Sequence, residues 1–191
     1  MEPELIAGRE CGHCNVCCVA LTIDDPQLQK VQGYRCRNAR RDNSCAIYDV
    51  RPQTCRAFNC GWRSLKWIRQ TLRPDISGVL VRFHTEVSST DGAERMGVVF
   101  TLLTSAALKA EGLAESFAAA VSAGVPCYLH IPGPPGYTSA RARMNEVLTE
   151  AVLNRDKAAV LRILREGRAM GRRGENKPIV LGRGTAASSD M

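Results

Sequence analysis

The chain has 191 residues, 45% of them apolar and 24% charged, and its formal net charge is +7. This length can form one ordinary domain, or a small module beside a second compact unit, and it can bury a hydrophobic core. No apolar run approaches the roughly 18 residues that a membrane-spanning helix needs. The start of the chain also lacks the basic and apolar regions of a secretory signal. We therefore expect a cytoplasmic protein with no membrane partner.

The first third of the chain contains short predicted elements separated by turn-forming residues. Apolar residues alternate over residues 19–23, which predicts a half-buried strand. An acidic cap followed by a proline predicts a short helix over residues 24–33. The polar segment 36–45 predicts a loop or hairpin, and Pro52 predicts the start of a helix with Cys55 near its first turn. The free amides and the dipole of that turn favour a thiolate.

Longer apolar patterns begin after residue 62. Helical spacing of apolar residues predicts a helix over residues 65–72. Two β-branched runs, at residues 78–84 and 96–104, predict a hairpin with a long loop.

The second half of the chain is predicted to alternate helices with one further strand. A helix is expected from about residue 107 to residue 124, followed by a third strand over residues 125–131. Two helices are expected after that, one over about residues 139–153 and one over about residues 156–170. Beyond them the basic, glycine-rich residues 171–191 are predicted to be disordered, with residues 178–181 as a candidate edge strand.

These patterns predict an α+β fold. An N-terminal cysteine-rich metal-binding module, residues 1–62, is expected to pack on a small mixed sheet of about three strands with about four helices. Residues 63–170 form the α+β extension, and residues 171–191 form the basic tail.

The cysteines are the chemical feature of the sequence, because eight of the nine lie in its first third. A reducing compartment keeps thiols free, so this density favours metal ligation over disulfides. Soft thiolates select zinc or iron, including iron-sulfur clusters, over magnesium or calcium. The candidate metal ligands are Cys11, Cys14, Cys17, Cys18, Cys36, Cys45, Cys55 and Cys60.

The spacing of these cysteines disfavours a simple zinc ribbon and does not support a ferredoxin site, while an iron-sulfur cluster stays open. A zinc ribbon needs a second C-x-x-C, which the later half of the cluster lacks. The first three cysteines have the rhythm of bacterial ferredoxins, but the fourth is adjacent to the third. The side chains of Cys17 and Cys18 are expected to diverge, which indicates two metal centres, or one centre with some non-ligating thiols.

The pattern C-x-x-C-x-x-C-C, followed by C-x8-C-A-I-Y-D-V-R-P-x-x-C-R-A-F, closely resembles the YkgJ-type cysteine-cluster family, described as a zinc- or iron-chelating domain. The resemblance covers about residues 11–60. It implies metal chelation, by zinc or iron-sulfur chemistry, with no general activity. Some members carry the motif beside enzymatic segments such as flagellin lysine methylases, but this chain has no glycine-rich cofactor loop. The matching residues are Cys11, Cys14, Cys17, Cys18, Cys36, Cys45, Tyr48, Arg51, Pro52, Cys55, Arg56 and Phe58, with Cys60 as an eighth thiol.

Residues near the cluster are assigned supporting roles. We expect Arg51 and Arg56 to tune the metal centre electrostatically. His13 is assigned to the surroundings of the metal or to solvent, because thiolates already outnumber it. Cys127, far along the chain, is expected to be a small buried hydrophobe. Ordinary core or edge positions are expected for His84 and His130.

Three functions stay open from the sequence. The first is a metal-binding protein with a structural or redox role, and the second is an iron-sulfur enzyme or accessory protein in electron transfer or protein modification, which would leave a protein partner to be found. The third is a nucleic-acid-binding module stabilised by metal. It is disfavoured because aromatic residues make up only 5% of the chain, and because the local arginines can instead offset thiolate charge. No catalytic residue is identified.

Overall fold

The computed structural model describes residues 4–87 and 92–182. Over these ranges the fold is α+β, as the sequence predicts, with seven helices, a two-stranded hairpin and a four-stranded mixed sheet. The sequence predicted about three strands and four helices, fewer of each than the described ranges contain. Several helices have only four or five residues, and strands β1 and β2 have three each, so they leave little pattern in the sequence. No helix in the described ranges is long and apolar enough to span a membrane.

The part of the chain up to residue 77 contains only short elements. Its helices are α1 (Cys17–Ala20), α2 (Gln53–Ala57), α3 (Gly61–Ser64) and α4 (Pro74–Ser77), and its strands are β1 (Ile23–Asp25) and β2 (Leu28–Lys30).

Two predictions in this part are wrong. A helix, α1, and the start of β1 occupy the predicted strand at residues 19–23, and the β1–β2 hairpin replaces the predicted helix over residues 24–33. The carboxylate of Asp25 accepts a 2.9 Å hydrogen bond from the amide of Gln27, which closes the turn between the strands. The hairpin also buries Ile23 and Leu28 against Cys36, a gain that an isolated short helix cannot offer.

The four-stranded sheet has the order β3-β4-β5-β6, formed by β3 (Val79–Val87), β4 (Glu94–Leu102), β5 (Cys127–Ile131) and β6 (Ala140–Arg143). Strands β3 and β4 form the predicted antiparallel hairpin, and residues 88–91 of its loop lie outside the described residues. Strand β5 pairs parallel to β4 and antiparallel to β6. Strand β6 was not predicted, because its alternating alanines and arginines include no large apolar residue.

Three longer helices follow: α5 (Leu113–Ser122), α6 (Asn145–Leu153) and α7 (Lys157–Arg173). Helix α7 confirms the helix predicted over about residues 156–170. The carboxylate of Asp156 caps it by accepting a 2.9 Å hydrogen bond from the amide of Ala159. Helix α5 begins later than expected, because Gly112 has a left-handed backbone with φ 88°. The predicted helix over residues 65–72 is wrong, since only a 3-10 turn forms at Gln70–Leu72.

The main core lies between one face of the four-stranded sheet and the helices. Phe100 of β4 stacks on Phe117 of α5, with ring centroids 4.1 Å apart. On α7, a Cβ at Gly167 would lie 2.9 Å from Leu129, so helix and sheet approach closely there. Trp62 and Cys60 are buried in the same core, which therefore joins the cysteine-rich segment to the sheet.

The chain after α7 returns to the cysteine-rich segment. Within the candidate edge strand of residues 178–181, Ile179 donates its amide to the carbonyl oxygen of Gly136 at 2.8 Å, and Pro178 forms an isolated β-bridge with Tyr137. The amide of Gly182 donates to the carboxylate of Asp24 at 3.0 Å. Of the predicted disordered tail, residues 183–191 lie outside the described residues.

Candidate metal centre

The charge interactions among the eight candidate cysteines fall into two sets of four, which we call the first and second groups. Thiolate charges act on one another over short distances, and the pKa shifts they cause therefore identify neighbouring sulfurs. The first group comprises Cys11, Cys14, Cys17 and Cys60. The second group comprises Cys18, Cys36, Cys45 and Cys55.

The first group forms where the N-terminal knuckle meets helix α3. The amide of Cys14 donates a 2.7 Å hydrogen bond to the carbonyl oxygen of Cys11, and this turn places both sulfurs on one side. Cys60 immediately precedes α3, at its N-terminal cap. Burial raises the pKa of Cys60 to about 11, and the charges of Cys11 and Cys14 act in the same direction.

Backbone amides point at two sulfurs of the first group. The amides of Arg63 and Trp62 donate to Cys60 and oppose the rise in its pKa. Burial likewise raises the pKa of Cys14, and the amides of Val16 and Asp75 oppose that rise. Such N–H groups stabilise a thiolate, the form of cysteine that binds metals.

The second group gathers around the β1–β2 hairpin. The amide of Cys36 donates to the carbonyl oxygen of Cys18 at 2.8 Å, and Cys18 and Cys55 both pack against the small core that contains Cys36. Cys45 forms a β-bridge with Ala39, which confirms the predicted loop or hairpin. Burial raises the pKa of Cys55, and the charges of Cys18 and Cys36 add to this effect.

Cations surround the second group. Lys30 is 8% exposed, and its Nζ atom donates to the carbonyl oxygens of Val19, at 3.2 Å, and Leu21. Burial lowers the pKa of Lys30, and the thiolate charges of Cys36 and Cys18 oppose that shift. The lysine therefore places a positive charge directly beside the second group.

Arginines contribute unequally to this charge. The hydrogen bond with Cys17 is the largest cause that lowers the pKa of Cys18, and the charges of Lys30, Arg51 and Arg35 act in the same direction. The Arg51 guanidinium lies 3.8 Å from the ring centroid of Tyr48. Arg56 lines a shallow surface pocket with Asp25. The tuning of a metal centre by Arg51 and Arg56 stays a prediction.

Cys17 and Cys18 connect the two groups. Their side chains are hydrogen-bonded, which raises the pKa of Cys17 and lowers that of Cys18. Cys17 is also influenced by the charges of Cys11 and Cys14, whereas Cys18 is influenced by those of Lys30 and the arginines. The expected divergence of these two side chains is therefore wrong, because the hydrogen bond brings the two thiols together. Charge interactions still associate Cys17 with the first group and Cys18 with the second.

The sulfurs are near one another, but they do not form a finished coordination sphere. All nine cysteines are free thiols. Within residues 4–87 and 92–182, no three histidine, cysteine, aspartate or glutamate side chains are arranged so that they could hold a metal ion. The donor set of each group nonetheless fits a soft metal, since it consists of four thiols.

Other residues named by the sequence lie apart from the sulfurs. The ring Nδ1 of His13 is 3.2 Å from the carbonyl oxygen of Asp42, in an exposed contact that connects two loops. Cys127 is fully buried in β5, where burial raises its pKa to about 12, which confirms the prediction of a small buried hydrophobe.

The sequence did not identify Lys30 or Asp75 as neighbours of the sulfurs. Lys30 lies two residues after Leu28 in β2, and side chains two residues apart share one face of a strand. This pattern could have placed the Lys30 side chain on the buried face beside Leu28. Asp75 reaches Cys14 only through tertiary packing, and no local signal indicates that contact.

An open pocket of about 530 Å³ adjoins the first group. Gly12, Trp62, Arg73 and Ile76 contribute to its lining, and the Arg73 guanidinium donates to the carbonyl oxygen of Cys11 at 3.3 Å. The loop over residues 132–136 packs Pro135 closely against Gly33.

Comparison of the chain with protein-family models, with curated proteins and with solved structures finds no match. The resemblance to the YkgJ-type family therefore stays a prediction based on the cysteine motif.

Proposed function

We propose that this protein binds metal through two four-thiolate centres, one formed by each group of cysteines. The observation that carries the proposal is the pattern of charge interactions among the thiols. Cys17 and Cys60 both interact with Cys11 and Cys14, whereas Cys55 interacts with Cys18, Cys36 and Cys45. Four thiolates complete the coordination of one zinc ion or of one iron-sulfur cluster.

The surroundings of the sulfurs support thiolate ligands. Amides of Arg63 and Val16 donate to sulfurs of the first group, and Lys30 and Arg51 lie beside the second. A centre of four thiolates stays anionic after a divalent metal binds, so these dipoles and cations lower the cost of burying it.

Metal binding must draw the side chains inward from the positions described above. The turn at Cys11–Cys14, the bond from Cys36 to Cys18 and the β-bridge at Cys45 already fix the backbone at those cysteines. Convergence then needs mainly rotation about side-chain bonds, which costs little compared with the about 10–16 kcal/mol that structural zinc binding supplies.

The metal would supply either of two chemistries. Zinc would act structurally, holding together a segment whose helices and strands are too short to be stable alone. An iron-sulfur cluster would add electron transfer, with a potential set by the charges and hydrogen bonds around its sulfurs.

The test is metal analysis of protein purified anaerobically, together with one cysteine variant from each group. Wild-type protein is expected to carry about two zinc ions, or iron and sulfide in the amounts of two clusters. Cys60→Ser should empty the first centre and Cys55→Ser the second, so that each variant keeps about half of the metal. Cys127→Ala is the matched control, and it should keep all of it because Cys127 lies in the core of the sheet.

Two results would contradict this proposal. One is a folded wild-type protein that contains no metal and takes up neither zinc nor iron on reconstitution. The other is complete metal loss in both variants with their folds intact, which would indicate a single shared centre. Visible absorption of the purified protein separates the chemistries, since zinc thiolates are colourless and iron-sulfur clusters absorb in the visible range.

A further inference from the structure

Three cysteines of the second group depend on the β1–β2 hairpin for their positions. The hairpin shares a small buried core with Cys36, and Cys18 and Cys55 pack against that core. The hydroxyl of Thr54, the residue before Cys55, donates a 2.8 Å hydrogen bond to the carboxylate of Asp25 in β1. Displacing the hairpin would therefore move these sulfurs relative to one another.

The chain after α7 crosses the hairpin and binds both of its strands. We call residues 177–182 the C-terminal strap. The amide of Gly182 donates to the carboxylate of Asp24, in β1, at 3.0 Å. The side-chain amide of Gln29, in β2, donates to the carbonyl oxygen of Gly182 and to Asp24, both at 2.9 Å. Gly182 is thus bonded to two residues that face each other across the hairpin.

The opposite end of the strap is bonded to the loop between β5 and β6. The amide of Lys177 donates to the hydroxyl of Thr138 at 2.9 Å, and the amide of Thr138 donates to the carbonyl oxygen of Lys177 at 2.8 Å. The amide of Ile179 donates to the carbonyl oxygen of Gly136 at 2.8 Å. The strap therefore joins the hairpin to the part of the chain that forms the sheet.

Solvent-exposed hydrogen bonds, rather than apolar packing, hold the strap on the hairpin. No residue in the range 177–182 is buried, and Val180 is 89% exposed. The bonds of Gly182 to Asp24 and Gln29 lie at the exposed surface. Water replaces bonds of this kind when they break, so such a segment opens at a far lower free energy than the whole domain.

The hairpin segment stays attached when the strap opens. Gln32, two residues after β2, is 9% exposed, and its side chain exchanges hydrogen bonds with the hydroxyl of Ser139 at 2.7 and 3.0 Å. The amide of Gly136 donates to the carbonyl oxygen of Gln32 at 2.9 Å. Release of the strap therefore loosens the hairpin without detaching it.

The first group is anchored in a different way. Cys60 is 8% exposed and belongs to the main core. The guanidinium of Arg9, two residues before Cys11, donates to the carbonyl oxygens of Trp62 and Ile68, each at 2.7 Å. Opening of the strap leaves these contacts in place, because none of them involves residues 177–182.

We propose that the C-terminal strap controls metal exchange at the second group, so that the second centre is exchangeable and the first is permanent. Release of Gly182 from Asp24 and Gln29 frees the hairpin to move, which opens the second centre to a competing ligand. The first centre keeps its metal through the same event. This inference rests on the proposed function, because it needs metal at both groups.

Hydrogen exchange of the full chain tests the strap independently of metal. Gly182→Pro removes the amide that binds Asp24 and leaves the hairpin sequence unchanged, so peptides covering residues 23–30 should exchange about ten-fold faster than in the wild type. Gly182→Ala keeps the amide and is the matched control, for which wild-type exchange is expected. Asp24→Ala should give the same acceleration. Combining it with Gly182→Pro should add little, because both changes break the same bond.

Metal release then shows which centre the strap controls. Cys60→Ser keeps only the second centre and Cys55→Ser keeps only the first, so Gly182→Pro is combined with each in turn. A competing chelator should remove metal about ten-fold faster from the Cys60→Ser protein when Gly182→Pro is added. The rate of removal from the Cys55→Ser protein should not change.

Two results would overturn the role of the strap while leaving the metal proposal intact. One is wild-type exchange at residues 23–30 in Gly182→Pro. The other is an equal acceleration of metal release from both centres. A wild-type protein that binds no metal would instead refute the proposed function, and this inference with it.

Discussion

The backbone amide of Cys36 donates a 2.8 Å hydrogen bond to the carbonyl oxygen of Cys18, across 17 intervening residues. This bond ties α1 to the chain that leaves the β1–β2 hairpin. It brings Cys18, the fourth cysteine of the C-x-x-C-x-x-C-C run, next to Cys36, while the thiol of Cys18 keeps its hydrogen bond with Cys17. The division of the sulfurs into two groups follows from contacts of this kind.

Replacing Lys30 by methionine should weaken metal binding at the second group. The change removes a buried cation beside Cys36 and Cys18 and leaves the carbonyl oxygens of Val19 and Leu21 without their donor. A change of about one pKa unit at a ligand thiol corresponds to about ten-fold in metal affinity. We expect the second centre of the variant to lose its metal at about a ten-fold lower chelator concentration than in the wild type, measured by competition with a coloured chelator.

Lys157→Met is the control for that substitution. Its Nζ atom makes a 2.8 Å ion pair with Glu115 at the exposed surface, far from the sulfurs. Chelator competition should match the wild type, and the free energy of unfolding should change by less than about 0.5 kcal/mol. Equal chelator sensitivity in the Lys30 variant and this control would show that Lys30 does not support the second centre.

Arg9→Ala should destabilise the start of the chain. The Arg9 guanidinium donates to the carbonyl oxygens of Trp62 at 2.7 Å, Leu65 at 3.1 Å and Ile68 at 2.7 Å. Hydrogen bonds from a charged donor contribute about 1.5–3 kcal/mol each when buried, and these are part-buried. We expect the free energy of unfolding to fall by about 2–3 kcal/mol in total, measured by urea denaturation.

Two further variants define the cause of that loss. Arg9→Lys keeps the charge but cannot reach three carbonyls at once, so it should recover only part of the stability. Arg162→Ala breaks an exposed pair with Glu166 and should cost less than about 0.5 kcal/mol. Full recovery in the lysine variant would mean that charge alone matters at this position.

His130 should make the fold sensitive to acid. Burial, with the charges of Arg82 and Arg141, lowers the pKa of His130 to about 3, and its ring Nδ1 lies 3.1 Å from the hydroxyl of Thr101. The unfolded chain binds a proton at this histidine near pH 6.5 and the folded chain does not. The free energy of unfolding should therefore fall as the pH drops below about 6.5, by up to about 1.4 kcal/mol per pH unit from this group.

The measurement is urea unfolding between about pH 4 and pH 7. His130→Gln removes the titrating group and should flatten the dependence, whereas His13→Gln at the exposed loop should not. An unchanged pH slope in the His130 variant would assign the acid sensitivity to other groups.

Cys127 should stay protonated and unreactive in the folded chain at moderately alkaline pH. Burial raises its pKa to about 12, so the folded chain keeps the proton where the unfolded chain loses it near pH 8.5. The contribution of this group to the free energy of unfolding is complete below about pH 8.5 and falls as the pH rises toward 12. In native protein stripped of metal, a maleimide at about pH 7 should label the half-buried cysteines of the two groups and leave the fully buried Cys127 unlabelled.

Mass spectrometry of labelled peptides identifies the modified thiols. Cys127→Ala should label like the wild type under native conditions and differ only after denaturation. Rapid native labelling of Cys127 would show that strand β5 opens readily.

Much of the sheet and its helices could be predicted from local patterns. The β3–β4 hairpin, β5 and α7 all have sustained apolar periods, and such periods arise because one side of the element must face the core. Strands β1, β2 and β6 were missed because they contain three or four residues and carry too little periodicity to be recognised. The helix predicted over residues 65–72 was also wrong, since its apolar spacing is satisfied by a 3-10 turn at Gln70–Leu72.

The sequence by itself determined which residues can supply the chemistry: eight thiols close along the chain, in a spacing that disfavours a simple ribbon or ferredoxin site. Tertiary structure alone decided how they divide, because Cys60 joins the first group by packing against the sheet core, and Cys36 joins Cys18 through a backbone bond. It also placed Lys30 beside the second group and Tyr128 beside Arg141. The physical reason is that the spacing of residues along a chain restricts local geometry, whereas charge and contact depend on distance in space, which only the folded chain defines.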